Sequence, residues 1–502
     1  MLTPPPCAHN GLMSRAKGDG IDRAITAGSD FLQLDISAAP AGRRADWLAS
    51  QLRRAIADGH VPVGARLPAT RALAADLGVS RGVVTEAYQR LVEDGHVAGH
   101  GRGGTVVVAA PVPAPTPATP EPRATEPFTT TPGLDVFDVL RAAPARIDMS
   151  PGVPDLAAFP RAAWLRAERA VLHHLAPADF GYGDPAGTPA LRRAVAEWLA
   201  RNRGIGVDPR DVVIVAGVSQ ALGLLAQAFG QHGIGRVAVE DPGSLGVRQH
   251  LRNWGLDTPP VAVDGEGIRV DELRATGAPA VMLTPAHQFP TGVVLGGERR
   301  RQLLRWAEAG GLVIEDDYDA EHRYDRPPMP ALRSVLAEHV CYAGSVSKLL
   351  APALRIGWLL VPARYRAAVV AAKRNADLGN AALPQLVLAE MMTSGDLERQ
   401  LRFLRRRHVR RRDAMITAIG THLPGAVVHG AAAGLHLTVT LPAGVSDVDL
   451  AARALTLGVK VQPLSWHSQR PGPAGLVLGY AASPPSDIAD GIAAVGRALR
   501  SR

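Results

Sequence analysis

The chain has 502 residues, 46% of them hydrophobic, with a mean hydropathy of +0.03. That is enough apolar material for large cores; it excludes wholesale disorder and sets an expectation of about two or three domains. Two cysteines, Cys7 and Cys341, exclude a disulfide framework, and a formal net charge of +8 permits a polyanionic partner without requiring one.

From the N-terminus, MLTPPPCAHNGLMSRAKGDG has no apolar core behind a basic start and does not read as a signal peptide. Residues 1–40 are rich in Gly, Ala and Pro without periodicity, so a mobile leader is expected. The segment RRADWLASQLRRAIAD places Trp47, Leu48, Leu52, Ala55 and Ile56 at helical spacing. Thr70 is expected to cap a short helix, RALAADLG, ended by Gly78, and Ser80 to cap a second, RGVVTEAYQRLVEDG. Two helices joined by a tight turn, the second opening on Ser80-Arg81, give helix-turn-helix geometry with amides and a guanidinium facing a phosphate or base edge. HVAGHGRGGTVVV reads as a hairpin wing with His100 and Arg102 at its tip. Gly99, Gly101 and Gly104 match the dinucleotide fingerprint literally, but they join two strands and open no helix. By pattern alone, residues 41–108 are either a DNA-binding module or a small helical dimerisation domain.

Residues 109–133, AAPVPAPTPATPEPRATEPFTTTPG, are proline-dense and read as a semi-rigid linker; the alternative is a disordered insertion within one domain. Beyond it, VVIVAG, VAVEDP, AVMLTP and GLVIEDD alternate with helix-length segments, which implies a largely parallel α/β sheet over 134–502. The longest uncharged run, Val212–Phe229, carries Gly217, Ser219, Gln220, Gly223 and Gln227, so it reads as a strand turning into a helix and not as a membrane span. From about residue 391 an Arg-rich helix leads into short strands and a closing helix, a smaller α+β subdomain. A soluble, cytoplasmic protein is the expectation.

GARLPATRALAADLGVSRGVVTEAYQRLVEDGHVAGHGRGGTVV resembles the winged helix-turn-helix of GntR-family regulators, with its Leu-Pro-Ser/Thr-x-Arg opening, Ser-Arg-x-x-Val recognition helix and Gly-rich wing. The resemblance implies contacts to a double-stranded DNA operator from Arg66, Thr70, Arg71, Ser80 and Arg81, with His100 and Arg102 in the wing. Gly82 and Val83 replace the Asn and Thr of many members, so the bases read are not legible.

The chain has only four lysines beside 51 arginines, a skew most simply explained by coding bias, and a reaction that needs a primary amine has few places to occur. Lys348 lies in YAGSVSKLLAPALRIGWLL, with Ser345 and Ser347 before it and Arg355 beyond. A Schiff-base lysine belongs at such a turn, beside hydroxyls and a guanidinium that neutralise a cofactor phosphate. In GLVIEDDYDAEHRY, Asp316 at a strand end suits the protonated nitrogen of a pyridine ring and Tyr318 the ring hydroxyl, although clustered carboxylates also suit a cation. In VIVAGVSQALGLL the amides of Val218 and Ser219, with the Ser219 hydroxyl, would open onto a phosphate.

Together with SPGVPDLAAFP, FGYGDPAGTPALRRAVAEWLARNRGI, VAVEDPGSLGVRQHLRNWG and TPAHQFPTGVVLGG, these segments resemble fold-type I aminotransferases, and more narrowly the MocR-type regulators that fuse a GntR-like module to such a domain. The resemblance spans about residues 43–500. It implies pyridoxal 5′-phosphate on Lys348, Asp316 and Tyr318 at the ring, Ser345, Ser347, Arg355 and Ser219 at the phosphate, and His287 within the cofactor-binding set. It also implies a homodimer, head-to-tail, with Tyr182 reaching the site of the other subunit; no metal and no membrane are expected. Two departures stand out: Ser244 replaces a stacking aromatic in EDPGS, and Val477 in LVLGYA replaces the arginine that grips a substrate carboxylate. Arg470 is the nearest candidate to compensate.

The expected function is transcription regulation, with the second domain sensing pyridoxal phosphate, or an amine or amino acid reacting with it, and control of pyridoxal phosphate synthesis as one role implied by the resemblance. The alternatives are a working aminotransferase with an appended DNA-binding domain and a pocket that has lost its cofactor. Val477 argues against the first, and the intact Ser-x-Ser-Lys against the second.

Overall fold

The computed structural model describes residues 34–40, 42–93, 96–99, 104–108, 127–324 and 329–501. They form two compact units, divided between Ala124 and Thr125.

In the first unit the helix Arg44–Ala57 buries Leu48, Leu52, Ala55 and Ile56, the face expected from their spacing. The helices Thr70–Asp76 and Arg81–Glu93 follow, and the strands Val97–Gly99 and Thr105–Val107 pair antiparallel as the wing. Leu48, Leu52, Leu67, Leu73, Val84, Leu91 and Val107 share one core. Thr70 proves to be the first helical residue, with Ala69 at the cap position and no side-chain cap. Its hydroxyl instead accepts from Arg81 Nε at 3.3 Å, tying the starts of the two helices together.

The second unit is built on an eight-stranded sheet. Leu312–Asp317 lies at its centre, parallel to Ala280–Leu283 on one side and to Val340–Ser345 on the other. Val237–Asp241 continues the parallel set beyond Ala280–Leu283, and Pro260–Asp264 follows it. The runs read as strands from sequence all fall here. Gly357–Leu360 enters antiparallel between Val340–Ser345 and Val213–Val215, because the chain turns straight back after Lys348 instead of crossing over through a helix. The inner strands are buried on both faces, which is why they read as continuous apolar runs.

The smaller layer is a four-stranded antiparallel sheet containing Val427–His429, His436–Thr440, Gln462–Pro463 and Gly475–Gly479, packed on the helices Asp447–Thr456 and Pro485–Arg500. Its core also takes in Phe128, Val136, Leu140, Ile147 and Met149, and Ile147–Asp148 pairs with Val459–Lys460. The described part of the stretch read as linker, from residue 127, therefore already belongs to this packing. Among the described residues no helix is long and apolar enough to cross a membrane.

Candidate functional site

The site lies where strand ends, one helix start and the smaller sheet meet around a cavity of about 680 Å³. Ser345 closes the strand Val340–Ser345, and the turn after it carries Ser347 and Lys348 into the cavity wall. Lys348 Nζ donates to the carbonyl of Gly152, where a Cβ would stand 3.0 Å from the amine. Burial lowers the Lys348 pKa, against the opposing pull of Asp316 and Asp319. A desolvated amine of this kind is nearer to the neutral, nucleophilic form.

Asp316 lines the cavity, buried, with Oδ1 lacking any hydrogen-bond partner. Desolvation, with the neighbouring Asp317 and Asp319 charges, raises its pKa to about 7. A buried carboxylate left in this state calls for a cation or an N–H donor. The carboxylates of EDDYD do not converge on one point. Asp317 Oδ2 takes the buried Arg203 Nε at 2.5 Å and the Tyr342 hydroxyl at 2.5 Å, while Asp319 Oδ2 meets His287 Nδ1 at 2.8 Å. Being acceptor-only, the Asp319 carboxylate fixes the proton on Nδ1. The Tyr318 hydroxyl, beside that ring at 3.2 Å, donates to the His287 carbonyl at 3.2 Å. His287 thus stands behind Tyr318 and holds it, whereas Tyr318 itself lines the cavity.

At the other end Gly217, with φ +82°, opens the helix Val218–Gln231 without a side-chain cap, leaving the first amides free for an anion. A Cβ at Gly217 would sit 3.3 Å from the Arg355 guanidinium, so the glycine is what admits that side chain. Ser345 Oγ donates to Ser347 Oγ at 2.8 Å and accepts from the Ser347 amide at 3.0 Å. Ser219, Ser345, Ser347 and Arg355 therefore surround one end of the cavity, a cradle of hydroxyls, amides and a guanidinium that suits a phosphate.

Sequence reasoning missed the supports. Lys373, fully buried, joins Asp377 at 2.5 Å and Asn380 at 2.6 Å, and Asn380 donates to the Arg355 carbonyl at 3.0 Å, fixing that residue at φ +51°. Glu240, its pKa raised to about 7 by burial, accepts from the Thr284 amide and hydroxyl, both at 3.0 Å. His250, His436 and His467 also line the cavity; burial lowers the pKa of each, to about 4 for His436 and about 3 for His467. His287, Asp319 and His436 place three potential metal-ligating atoms within 4.8 Å of one another, but His287 Nδ1 is turned onto Asp319 and His436 Nε2 onto the Pro290 carbonyl, 3.1 Å away.

Ser244 lines the cavity and caps the helix Leu245–Asn253, accepting from the Val247 amide at 3.3 Å. Val477 pairs with Thr438 and Gln462 in the smaller sheet, so no arginine stands at that place. Arg470 does not replace it: the guanidinium is held by Asp241 at 2.9 Å and Glu272 at 3.3 Å. Tyr182 is 95% exposed and lies outside the cavity wall.

In the first unit Arg66, Arg71, Ser80 and Arg81 are exposed and Thr70 half-buried at the starts of the two short helices. Arg66 runs along Gly104 at the base of the wing, 3.3 Å from where a Cβ would be. His100 and Arg102 lie outside the described residues.

Residues 45–107 match the family of bacterial regulatory proteins of the gntR type, and residues 146–469 match aminotransferase class I and II. The chain is 31% identical over 453 residues to the probable rhizopine catabolism regulatory protein MocR of Rhizobium meliloti, covering 89% of this chain and 91% of that protein. It is 31% identical over 416 residues to the pyridoxine biosynthesis transcriptional regulator PdxR of Corynebacterium glutamicum, covering 82% and 86%. Among solved structures, the α-aminoadipate aminotransferase LysN of Thermus thermophilus, complexed with N-(5′-phosphopyridoxyl)-L-leucine, superposes with a TM-score of 0.66 at 28% identity over 72% of this chain and 94% of that one. The amine, the orphaned carboxylate and the phosphate cradle fit pyridoxal phosphate, the cofactor of this fold. The chain belongs to the MocR-type regulators of the GntR family, DNA-binding transcriptional regulators whose second domain is a pyridoxal phosphate-dependent, aminotransferase-like fold.

Proposed function

We propose that this protein is a cytoplasmic, homodimeric regulator that binds a DNA operator through its first unit and senses pyridoxal phosphate, or an amine reacting with it, through the second. The observation that carries the reading is one chain that keeps Lys348 and Asp316 in a cavity but has Val477 where a transaminase grips its substrate carboxylate. When bound, the cofactor supplies an aldehyde for amines and an electron-withdrawing pyridine ring.

Lys348 supplies the amine for attachment, and its lowered pKa favours the neutral form that this needs. Asp316 would receive the ring N–H, and Tyr318, oriented by His287 and Asp319, would meet the ring hydroxyl. The Val218 and Ser219 amides, with Ser345, Ser347 and Arg355, would hold the phosphate; the exposure of Tyr182 supports a role for it at the partner subunit's site in a head-to-tail dimer. Arg66, Thr70, Arg71, Ser80, Arg81, His100 and Arg102 form the DNA contacts. We divide the chain into a leader over 1–40, the winged helix over 41–108, a linker that begins at 109 and ends before Phe128, which is core in the second unit, and the sensor from there to 502. Control of pyridoxal phosphate synthesis is the role we favour, in line with the name of the corynebacterial relative, a pyridoxine biosynthesis regulator.

A ligand shifts DNA binding only as far as it binds two conformations differently. Closure of the smaller subdomain over the cavity is the movement we assign to that shift. The enzyme alternative is tested by incubating the loaded protein with amino donors and a keto acid. The reading requires at most trace turnover, and sustained multiple turnover would favour an aminotransferase.

A further inference from the structure

The last residues of the stretch read as linker are seated on a short turn that also forms cavity wall. The Phe128 ring stacks on the Trp466 indole, with centroids 5.4 Å apart and planes 25° from parallel. Trp466 Nε1 donates to the Thr129 carbonyl at 2.9 Å, and both aromatic rings are buried in the core of the smaller layer. A few residues on, Gln249 Nε2 donates to the Gly133 carbonyl at 2.9 Å, and Phe137 then lines the cavity.

The turn itself, Ser465–His467, is held from two directions. Asp447 accepts from the Ser465 amide at 2.9 Å and its hydroxyl at 2.7 Å, fixing the turn to the smaller layer. Across the cavity edge, the His467 carbonyl accepts from the Gly243 amide at 2.8 Å, and the Trp466 carbonyl accepts from Arg248 Nη2 at 3.0 Å. His467 Nδ1 accepts from the Leu245 amide at 3.4 Å, directly beside Ser244. The His467 ring lines the cavity and meets Phe289 edge-on at 5.0 Å.

We infer that the turn Ser465–His467 couples the cavity to the linker, with His467 as the side that meets the ligand's surroundings and Trp466 as the seat of Phe128 and Thr129. The physical reason is adjacency: a three-residue turn hydrogen-bonded from both sides cannot shift against Gly243–Leu245 without carrying the indole, and the indole carries the chain that leads to the first unit. Packed interfaces of this kind switch between discrete arrangements and do not deform smoothly. Trp466 and Phe128 are positioning residues, since neither faces the amine or the phosphate cradle. The inference rests on the proposal that occupancy of this cavity controls DNA binding.

The test uses the full chain, cofactor-stripped and reloaded with pyridoxal phosphate, as wild type, Phe128→Ala and Trp466→Phe. Three quantities are read: the visible spectrum of the loaded protein, hydrogen exchange of the amides from 129 to 137 without DNA, and affinity for a labelled duplex from upstream of the protein's own gene. Wild type is expected to change exchange on loading and to shift DNA affinity by about 5- to 150-fold, the range of ordinary two-site coupling. Phe128→Ala is expected to load with the same spectrum, lose the exchange difference and bind DNA equally in both states. Trp466→Phe, which keeps a six-membered aromatic ring for Phe128 to stack on but removes the N–H together with the five-membered part of the indole, is expected to fold and to show a reduced ratio. A Phe128→Ala protein that loads normally and keeps both wild-type differences overturns the inference. If wild-type DNA affinity ignores loading, the proposed function fails instead; the exchange comparison then decides the coupling by itself, and unchanged exchange in wild type overturns it.

Discussion

Asp316 and Asp317 are neighbours in one strand yet face opposite sides of the central sheet, and of the two only Asp317 is ion-paired. Asp317 Oδ2 takes Arg203 and the Tyr342 hydroxyl beneath the sheet, with Oδ1 left unpartnered; Asp316 faces the cavity with no ion pair and with its own Oδ1 unpartnered. Strand alternation produces the division. It also keeps Arg203 away from the oxygen that we propose meets the pyridine nitrogen.

The arrangement has a pH signature. The pKa of Asp316 in the folded protein, about 7, stands above its usual 3.8, so between those values the folded chain keeps a proton that the unfolded chain has released. Stability of the cofactor-stripped protein therefore falls as pH rises through that window, by an amount on the order of a few kcal/mol at most. Asp316→Asn removes the effect. Thermal unfolding of stripped wild type and variant should show the variant gaining relative stability from pH 5 to pH 8; a constant difference would contradict the assignment.

Beneath the sheet, Arg203→Met leaves Asp317 buried without its cation. Breaking a buried pair from one side costs about 3–5 kcal/mol, and much of that should return in the double variant with Asp317→Asn. Denaturant unfolding of the two single variants and the double measures both.

Lys348→Ala should abolish the visible absorption of reloaded protein while leaving the fold intact. The amine is desolvated and donates to the Gly152 carbonyl, so little stability depends on it. An absorption spectrum, with a thermal midpoint close to wild type, checks the two halves together.

In the first unit, Arg81 joins Thr70 and is otherwise exposed. Arg81→Ala should weaken binding across DNA sequences and flatten the dependence of log affinity on log salt by about one unit, as expected when one phosphate contact is lost. An unchanged slope would place Arg81 off the backbone.

Much of this was legible in the sequence because it is local. The Ser345-Ser347-Lys348 turn, the Gly217 opening of a helix and the two short helices of the first unit are each encoded within a dozen residues, by periodicity and glycine placement, although Thr70 does not cap the first of those helices. The supports were not legible because they join distant segments. Arg203 meets Asp317 across 114 residues and Trp466 meets Thr129 across 337, and no periodicity records either. Lys373, read only as one of four lysines, braces Asn380 and through it Arg355. Arg470, the nearest candidate for the missing clamp by position in the chain, is committed to Asp241 and Glu272. The end of the linker reads as proline-rich spacer up to Gly133, yet Phe128 is core, because a single aromatic in a polar run carries no pattern to announce its partner.

The central claim is that the cavity around Lys348 governs DNA binding. The direct measurement is the affinity of the full chain for a labelled duplex from upstream of its own gene, stripped against reloaded with pyridoxal phosphate, at fixed salt. The account predicts a clear change in affinity or footprint on reloading that is absent in Lys348→Ala. Tight binding indifferent to the cofactor, and to amines added to the loaded protein, would contradict it.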